Sequence, residues 1–333
     1  MDKTILVVDD VPDNIRILKS VLAKGNYAVR AATNGEKALK LASTHPQPNI
    51  ILLDIMMPEM DGFEVCRRLK CNPETSYIPV IFISAKDDTD DQSTGFDLGA
   101  VDYITKPFSP AIVLRRVATH LSLTRLAEVD SLALSAIRML GVAGHYNDTD
   151  TGSHIWRMAE YCKLLAKAVG WDYENYNLLE LAAPLHDTGK IGIPDAILKA
   201  PRPLAPDEWV VMKKHSEIGH EILSMSSNPV FQLGAQVAKS HHERWDGTGY
   251  PEGLVGEDIP QGARIVAICD VFDALTMERP YKDAWSIEEA LIEIKKDAGS
   301  HFDPNLVETF LSLEDDIREI SHKWSLKGEN SIE

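Results

Sequence analysis

The stretch NIILLDIMMPEMDG, residues 49–62, decides the fold of the first half of the chain. A short apolar run, Asn49–Leu53, ends on the carboxylate of Asp54, and a loop carrying Pro58 leads to Gly62, where helical spacing begins and runs to Lys70. A run that is apolar throughout suits a strand buried on both faces of a sheet. The same unit recurs on either side. Upstream, Ile5–Val8 precedes a helical pattern over 12–24 with Ile15, Leu18 and Leu22 on one face, and Tyr27–Ala32 precedes Gly35–Ser43. Downstream, Pro79–Ile83 precedes a helix expected over 88–98, and Asp102–Ile104 precedes one over 109–122. Five strand–helix units in alternation predict an α/β, doubly wound domain: a five-stranded parallel sheet covered by helices.

Beyond residue 121 the period changes. Leu123, Leu126, Asp130, Ala133, Ile137 and Leu140 follow a 3-4-3-4-3 spacing, a helical seam that reads either as a short stalk or as a helix capping the domain. Helices are expected over 153–169, 174–187, 207–224, 229–242, 262–277 and 286–298, separated by loops rich in Pro and Gly. The chain is therefore multidomain. The partition is a first domain over 1–122, a helical linker over 123–144, an all-α domain over 145–315 and a polar tail over 316–333, expected to fray.

With 333 residues, 44% of them apolar and 26% charged, the composition is that of a globular protein large enough for two domains. The net charge of −17 is uneven: residues 1–120 hold 16 acids and 14 bases, whereas residues 121–333 hold 35 acids and 20 bases. Such an acidic second half argues against DNA as a partner, because non-specific binding needs Lys and Arg to neutralise phosphates and no basic recognition helix is present. It argues equally against docking on an anionic membrane. Cys66, Cys71, Cys162 and Cys269 form no CxxC pair, which suits a reducing compartment. The opening MDKTILVVDD lacks the plan of a signal peptide, and no apolar run reaches the ~18 residues of a spanning helix. The expected location is cytoplasmic, without membrane insertion.

In doubly wound sheets ligands sit beyond the carboxyl ends of the strands. Asp9 and Asp10 follow the first strand, Asp54 the third, Ser84 the fourth and Lys106 the fifth. Three carboxylates there make an oxygen-rich site suited to Mg²⁺. Through VVDD (7–10), LLDIMMPEMDG (52–62), ISA (83–85) and YITKPF (103–108), the first 122 residues resemble the receiver domain of two-component response regulators, a flavodoxin-like fold. The resemblance implies that Asp54 is the phospho-acceptor and that Asp9, Asp10, Asp54 and the Met56 carbonyl hold Mg²⁺. It further implies that Ser84 and Lys106 contact the phosphoryl group, that Tyr103 is the aromatic switch, and that a sensor histidine kinase is the phosphate source. A phosphoryl group adds up to about two negative charges, which Mg²⁺ and an ammonium offset.

The second half concentrates histidine: nine of the chain's eleven lie beyond residue 120. His154, the adjacent His186 and Asp187, His215, the adjacent His241 and His242, and Asp270 sit at expected helix ends. Buried imidazoles and carboxylates need partners, and a transition metal serves them all. A carboxylate such as Asp187 can bridge two ions ~3.5–4 Å apart. HDTGKIGIPD (186–195) and HHERWDGTGYP (241–251) are similar to the two name-giving blocks of the HD-GYP family, a subgroup of the all-helical HD phosphohydrolase superfamily. The resemblance implies a metal-dependent phosphodiesterase for cyclic di-GMP. It implies one ion on His154, His186, Asp187 and Asp270, and a second on Asp187, His215, His241 and His242, with a metal-bridging water as nucleophile. The ions implied are Fe or Mn, with Ni, Zn and Co as further candidates. Some relatives place a Glu where this chain has Asp150, one methylene shorter, so two ions are expected and Asp150 is the candidate ligand of a third. Lys190, Arg279 and Lys282 are implied near the substrate phosphates, and Asp246, Gly247 and Tyr250 in the loop shaping the site.

The leading expectation is thus a response regulator whose output hydrolyses cyclic di-GMP to pGpG or GMP under control of Asp54 phosphorylation. The seam suggests a homodimer, and the resemblance implies partners with GGDEF domains. Two rivals are a non-catalytic adaptor binding cyclic di-GMP or a GGDEF protein, and a phosphohydrolase of another nucleotide, other cyclic dinucleotides included.

Overall fold

The structure is a computed structural model that describes residues 3–84, 94–145, 154–277 and 284–329. Five strands, β1 (Thr4–Val8), β2 (Ala28–Ala32), β3 (Ile50–Asp54), β4 (Val80–Ser84) and β5 (Asp102–Thr105), form one sheet in the order β2-β1-β3-β4-β5. All four pairings are parallel. Alternation along each strand splits the core in two. Leu6, Val8, Ile51, Leu53, Val80 and Phe82 face one layer, with α2 (Gly35–Ser43) and α3 (Gly62–Cys71). Ile5, Val7, Ile50, Leu52, Ile81 and Ile83 face the other, with α1 (Pro12–Ala23) and Val113, Val117 and Leu121. The strand order reverses between β1 and β3, whose carboxyl ends carry Asp9 and Asp54. The loop after β3 closes on Asp61, whose side chain accepts a hydrogen bond from the Glu64 amide at 2.8 Å and caps α3.

The chain groups into two compact units, one up to Leu132 and one from Ala133. The helix expected over 109–122 and the linker expected over 123–144 are a single element, α4 (Pro110–His145). No Pro or Gly interrupts the helical spacing before Gly141. The helix expected over 88–98 falls partly outside the described residues; 94–97 are helical.

In the second unit α5 (His154–Ala168), α6 (Tyr173–Ala182), α7 (Asp195–Leu198), α8 (Pro206–Met212), α9 (His215–Ser224), α10 (Pro229–Ser240), α11 (Gln261–Thr276), α12 (Ile287–Lys296), α13 (Pro304–Leu311) and α14 (Glu314–Glu329) follow in order. Three expectations change. The helix expected over 174–187 ends at Ala182, because Pro184 lacks an amide donor and sits in a 3₁₀ turn, Ala183–Leu185. The helix expected over 207–224 divides at Lys213 and Lys214, which puts His215 first in α9. The stretch expected to fray after residue 316 is mostly α14: Ile317 is fully buried, Ile320 packs on the same core, and Lys323 pairs with Glu160 at 2.9 Å. Ile317 and Ile320, at helical spacing, dock this mostly polar segment. Among the described residues no helix is long and apolar enough to cross a membrane.

Candidate metal centre

At the sheet end of the first unit, Asp9, Asp10 and Asp54 each offer an oxygen within 4.8 Å of the others. Asp9 and Asp54 are buried, and Lys106 reaches both, with Nζ 3.1 Å from Asp9 Oδ2 and 2.9 Å from Asp54 Oδ2. Asp9 Oδ1 also accepts from the Val11 amide and Asn14 Nδ2. Burial, reinforced by the charges of Asp9 and Asp10, raises the Asp54 pKa against the lowering pull of Lys106. Burial also draws Lys106 down, but its bonds to Asp54 and Asp9 prevail and hold its pKa above the ordinary value. Such a crowd of carboxylates favours a divalent cation. Ser84 is buried at the end of β4. The Tyr103 ring is buried against Phe82 and Phe96, with centroids 5.6 and 5.1 Å away. The Met56 side chain is exposed.

In the second unit the candidate histidines and Asp187 lie at the ends of elements, whereas Asp270, expected at a helix end, lies within a helix. His186 and Asp187 sit between two 3₁₀ turns, Ala183–Leu185 and Thr188–Gly192; His215 starts α9; His241 and His242 follow α10; Asp270 lies on α11. Gly189 makes this convergence possible. A Cβ there would fall 1.9 Å from the His215 carbonyl oxygen, so only glycine lets the HDTG segment meet the start of α9.

The imidazoles are oriented by their own backbone. Nδ1 of His186 lies 2.8 Å from the Ala183 carbonyl, Nδ1 of His215 2.7 Å from that of Met212, and Nδ1 of His241 3.0 Å from that of Ala238. A carbonyl only accepts, so each Nδ1 carries the hydrogen, and in the neutral ring Nε2 carries the lone pair. Those Nε2 atoms converge on Asp187, whose two oxygens serve different neighbours. Oδ2 is 3.3 Å from His186 Nε2, 3.4 Å from His145 Nε2 and 2.7 Å from Lys190 Nζ. Oδ1 is 3.5 Å from His215 Nε2 and 3.8 Å from His241 Nε2. Asp270 Oδ1 lies 3.7 Å from His186 Nε2. Ligand atoms of Asp187, His215, His241 and His242 lie within 4.8 Å of one another, as do those of His145, His186 and Asp187. Buried atoms without a hydrogen-bond partner include Asp187 Oδ1 and the Nε2 atoms of His145, His215 and His241. Orphaned acceptors aimed at common points fit bound cations.

Burial lowers the pKa of His215 and His241, and takes His242 down to about 3 with help from the neighbouring His215. These rings are neutral at pH 7 and able to ligate. Burial pulls His186 down too, but Asp187 beside it raises it to about 9. Asp187 is itself held well below the usual carboxylate range: Lys190 and His186 outweigh its burial.

The remaining expected residues lie at different depths. His154 is buried, with Nδ1 held by Asp273 Oδ2 at 3.0 Å, which leaves Nε2 to ligate; its ring centroid is 5.4 Å from that of His145. Tyr250 stacks on His242 at 4.7 Å. Asp246 is turned to its own loop, accepting from the Thr248 amide and hydroxyl at 2.9 and 2.6 Å, and Gly247 provides a turn with φ +79°. Asp150, Arg279 and Lys282 lie outside the described residues. Three residues escaped the sequence reading. Asp273, fully buried, joins His154 to Arg157 Nε at 2.5 Å. Glu243, buried, accepts from the amides of Glu252 and Leu254 at 2.8 and 3.1 Å and braces the GYP loop. His145 ends α4 beside His186, with ring centroids 5.0 Å apart.

Comparison with known proteins agrees with this division. The model of the response regulator receiver domain matches residues 5–118, and that of the HD domain matches residues 131–306. A probable cyclic di-GMP phosphodiesterase of Vibrio cholerae serotype O1 is 39% identical, over 97% of this chain and 80% of its own length. The cyclic di-GMP phosphodiesterase response regulator RpfG of Xanthomonas campestris pv. campestris is 40% identical, over 83% of this chain and 78% of its own. A 3′3′-cGAMP-specific phosphodiesterase 2 of Vibrio cholerae is 46% identical over 50% of this chain and 32% of its own length.

Proposed function

Because the chain belongs to the family of response regulators that join a receiver domain to an HD domain, we propose that it is a divalent-metal-dependent phosphodiesterase of cyclic di-GMP, regulated by phosphorylation of Asp54 by a histidine kinase. The observation that carries this reading is the split of Asp187, one oxygen toward His186 and the other toward His215 and His241. On this reading His154, His186, Asp187 and Asp270 hold one ion of iron or manganese type, and Asp187, His215, His241 and His242 hold another. The ions supply Lewis acidity toward the phosphate and a nucleophile from water near neutral pH.

The chain's own residues do the rest. Asp187 would offer one oxygen to each ion, and its lowered pKa keeps the carboxylate ionised. Lys190 holds its ammonium 2.7 Å from Asp187 Oδ2, beside the site, where it can balance charge developing on a phosphoryl oxygen. Tyr250 stacks on His242, fixes that ring and covers it from solvent. Arg279 and Lys282, outside the described residues, are proposed as further cations for the substrate phosphates. In the receiver, Asp9, Asp10 and the Met56 carbonyl would hold Mg²⁺, which would offset the charge of a phosphoryl group on Asp54, with Lys106 and Ser84 placed to contact that group and Tyr103 to report the change. The exposed apolar positions Leu123, Leu126, Val129 and Leu132 of α4 support a homodimer, which light scattering tests.

The test is incubation of anaerobically purified, Mn²⁺- or Fe²⁺-loaded protein with cyclic di-GMP, followed by separation of pGpG and GMP. Turnover that disappears in His186→Ala supports the reading; no turnover in the loaded protein overturns it. The similarity to a 3′3′-cGAMP-specific enzyme over half of the chain favours one second reading, a broader cyclic-dinucleotide substrate range, so 3′3′-cGAMP belongs in the same assay.

A further inference from the structure

We infer that His145, the last residue of α4, is a ligand of the ion shared by His186 and Asp187. The inference rests on the metal-dependent reading of the site and extends it to a residue outside both signature blocks.

Four observations converge. First, His145 is dressed like the other three oriented histidines: Nδ1 lies 3.0 Å from the carbonyl of Gly141, one helical turn back, so Nδ1 carries the hydrogen and Nε2 the lone pair. Second, that Nε2 is buried and has no hydrogen-bond partner, a condition it shares with Nε2 of His215 and His241. Third, it points at the same place: Nε2 lies 3.4 Å from Asp187 Oδ2, which His186 Nε2 approaches to 3.3 Å, and the three ligand atoms form one compact group. Fourth, its position is built in. A Cβ on Gly144 would come within 3.1 Å of the Asp187 backbone, and one on Gly141 within 3.3 Å of Pro184. The two glycines let the last turn of α4 press against the His186–Asp187 segment, so the imidazole beside them has little freedom to turn elsewhere.

A purely structural role is a poorer fit. A neutral His145 would leave its Nε2 lone pair buried without a donor. A metal ion takes that lone pair.

The experiment counts metal, without substrate. The full-length protein, His145→Asn and His145→Ala are purified without oxygen, loaded with Mn²⁺, and analysed for metal per chain and for release to a competing chelator. Asn keeps a donor near the Gly141 carbonyl but has no counterpart to Nε2. His220→Asn is the control, since His220 bonds to the Ala235 carbonyl and belongs to none of the clusters. The expectation is loss of one ion per chain, or release of one ion at a chelator concentration at least roughly tenfold lower, in both His145 variants but not in the control. Folding is read in parallel from circular dichroism. Equal metal content and equal chelator resistance in folded His145→Asn and wild type overturn the inference while leaving the metal centre standing. A wild-type protein that binds no Mn²⁺ overturns both.

Discussion

The sharpest perturbation of the metal centre is Asp273→Asn, a residue that touches no ion itself. Its carboxylate is fully buried; Oδ2 takes the His154 Nδ1 hydrogen at 3.0 Å and Oδ1 takes the Arg157 Nε hydrogen at 2.5 Å. Asn is nearly isosteric but neutral, and its amide can accept from only one of the two donors. Two separable losses follow. A carboxylate behind a ligating imidazole fixes its tautomer and raises its basicity; losing such a partner lowers metal affinity about 10–100-fold, or about 1.4–2.7 kcal/mol. Arg157, meanwhile, loses its counter-charge. A wholly buried unpaired charge costs about 3–5 kcal/mol, and the Arg157 side chain keeps 17% of its surface in solvent, so the loss in folding stability should fall below that range. The expected pattern is one weakened ion and one unchanged, because His215, His241 and His242 do not contact Asp273. Chelator competition followed by elemental analysis reads the first loss, and urea unfolding of the metal-free protein reads the second. If stability drops while both ions keep wild-type affinity, His154 is merely the partner of a structural ion pair and the proposed ligand set is wrong.

Three further outcomes follow from the same geometry. Incubation with a small phosphoryl donor and Mg²⁺ should add one hydroxylamine-labile phosphoryl group to the wild type and none to Asp54→Asn, read by mass spectrometry; labelling of the variant would move the acceptor away from β3. Glu243→Gln should lose one of the two backbone hydrogen bonds that hold the GYP loop, each worth about 1.5–3 kcal/mol to a charged acceptor, and expose residues 252–254 to proteolysis; an unchanged cleavage pattern would show that the brace is dispensable. Acidification should destabilise the metal-free protein between pH 7 and 5. Burial holds His215 and His241 below their ordinary pKa, His242 at about 3 and His301 at about 4, whereas only His186 is raised, to about 9. The lowered groups stay neutral when folded but take up protons when unfolded, so each removes about 1.4 kcal/mol per pH unit below ~6.5; His186 acts in the opposite sense, with stability present at low pH and lost toward pH 9. A Tm that rises on acidification in this window would refute the assignment of neutral rings.

The fold was legible where one period ran long enough. The fully apolar strands with a polar residue at each carboxyl end announced a parallel sheet and its site together, since the pattern that buries Ile50–Leu53 also delivers Asp54 to the edge. What escaped depended on three-dimensional packing. The end of α4 falls within one residue of the expected linker boundary at 144, but the role of its last turn was hidden, because Gly141 and Gly144 look like helix breakers until their contacts with Pro184 and Asp187 are known. Ile317 is one isoleucine among acids, and only the core beneath it makes α14 a docked helix. His186, Asp187, His241 and His242 were readable as adjacent pairs. Asp273 and Glu243 were not, because their partners stand 119 and 9 residues away and include a backbone amide that no side-chain pattern records.

The placement of ligands at element ends has a physical reason. Within a helix, backbone carbonyls are already engaged by amides four residues on; near an end, or in a 3₁₀ turn, they are available to a side chain. His186 and His241 use that supply, each bonding a carbonyl three residues back. The acceptor that orients each ring is therefore supplied by the same local geometry that terminates its element, and orientation does not depend on a distant partner. The price is a set of buried acceptors around Asp187 that have nothing to accept from. An apolar substitution would relieve that strain, and so would a cation; because both oxygens of one carboxylate and imidazoles from separate segments meet there, the cation satisfies all of them at once. Metal affinity and folding stability of this unit should then be linked, with the loaded protein gaining stability as the ion concentration rises above its dissociation constant.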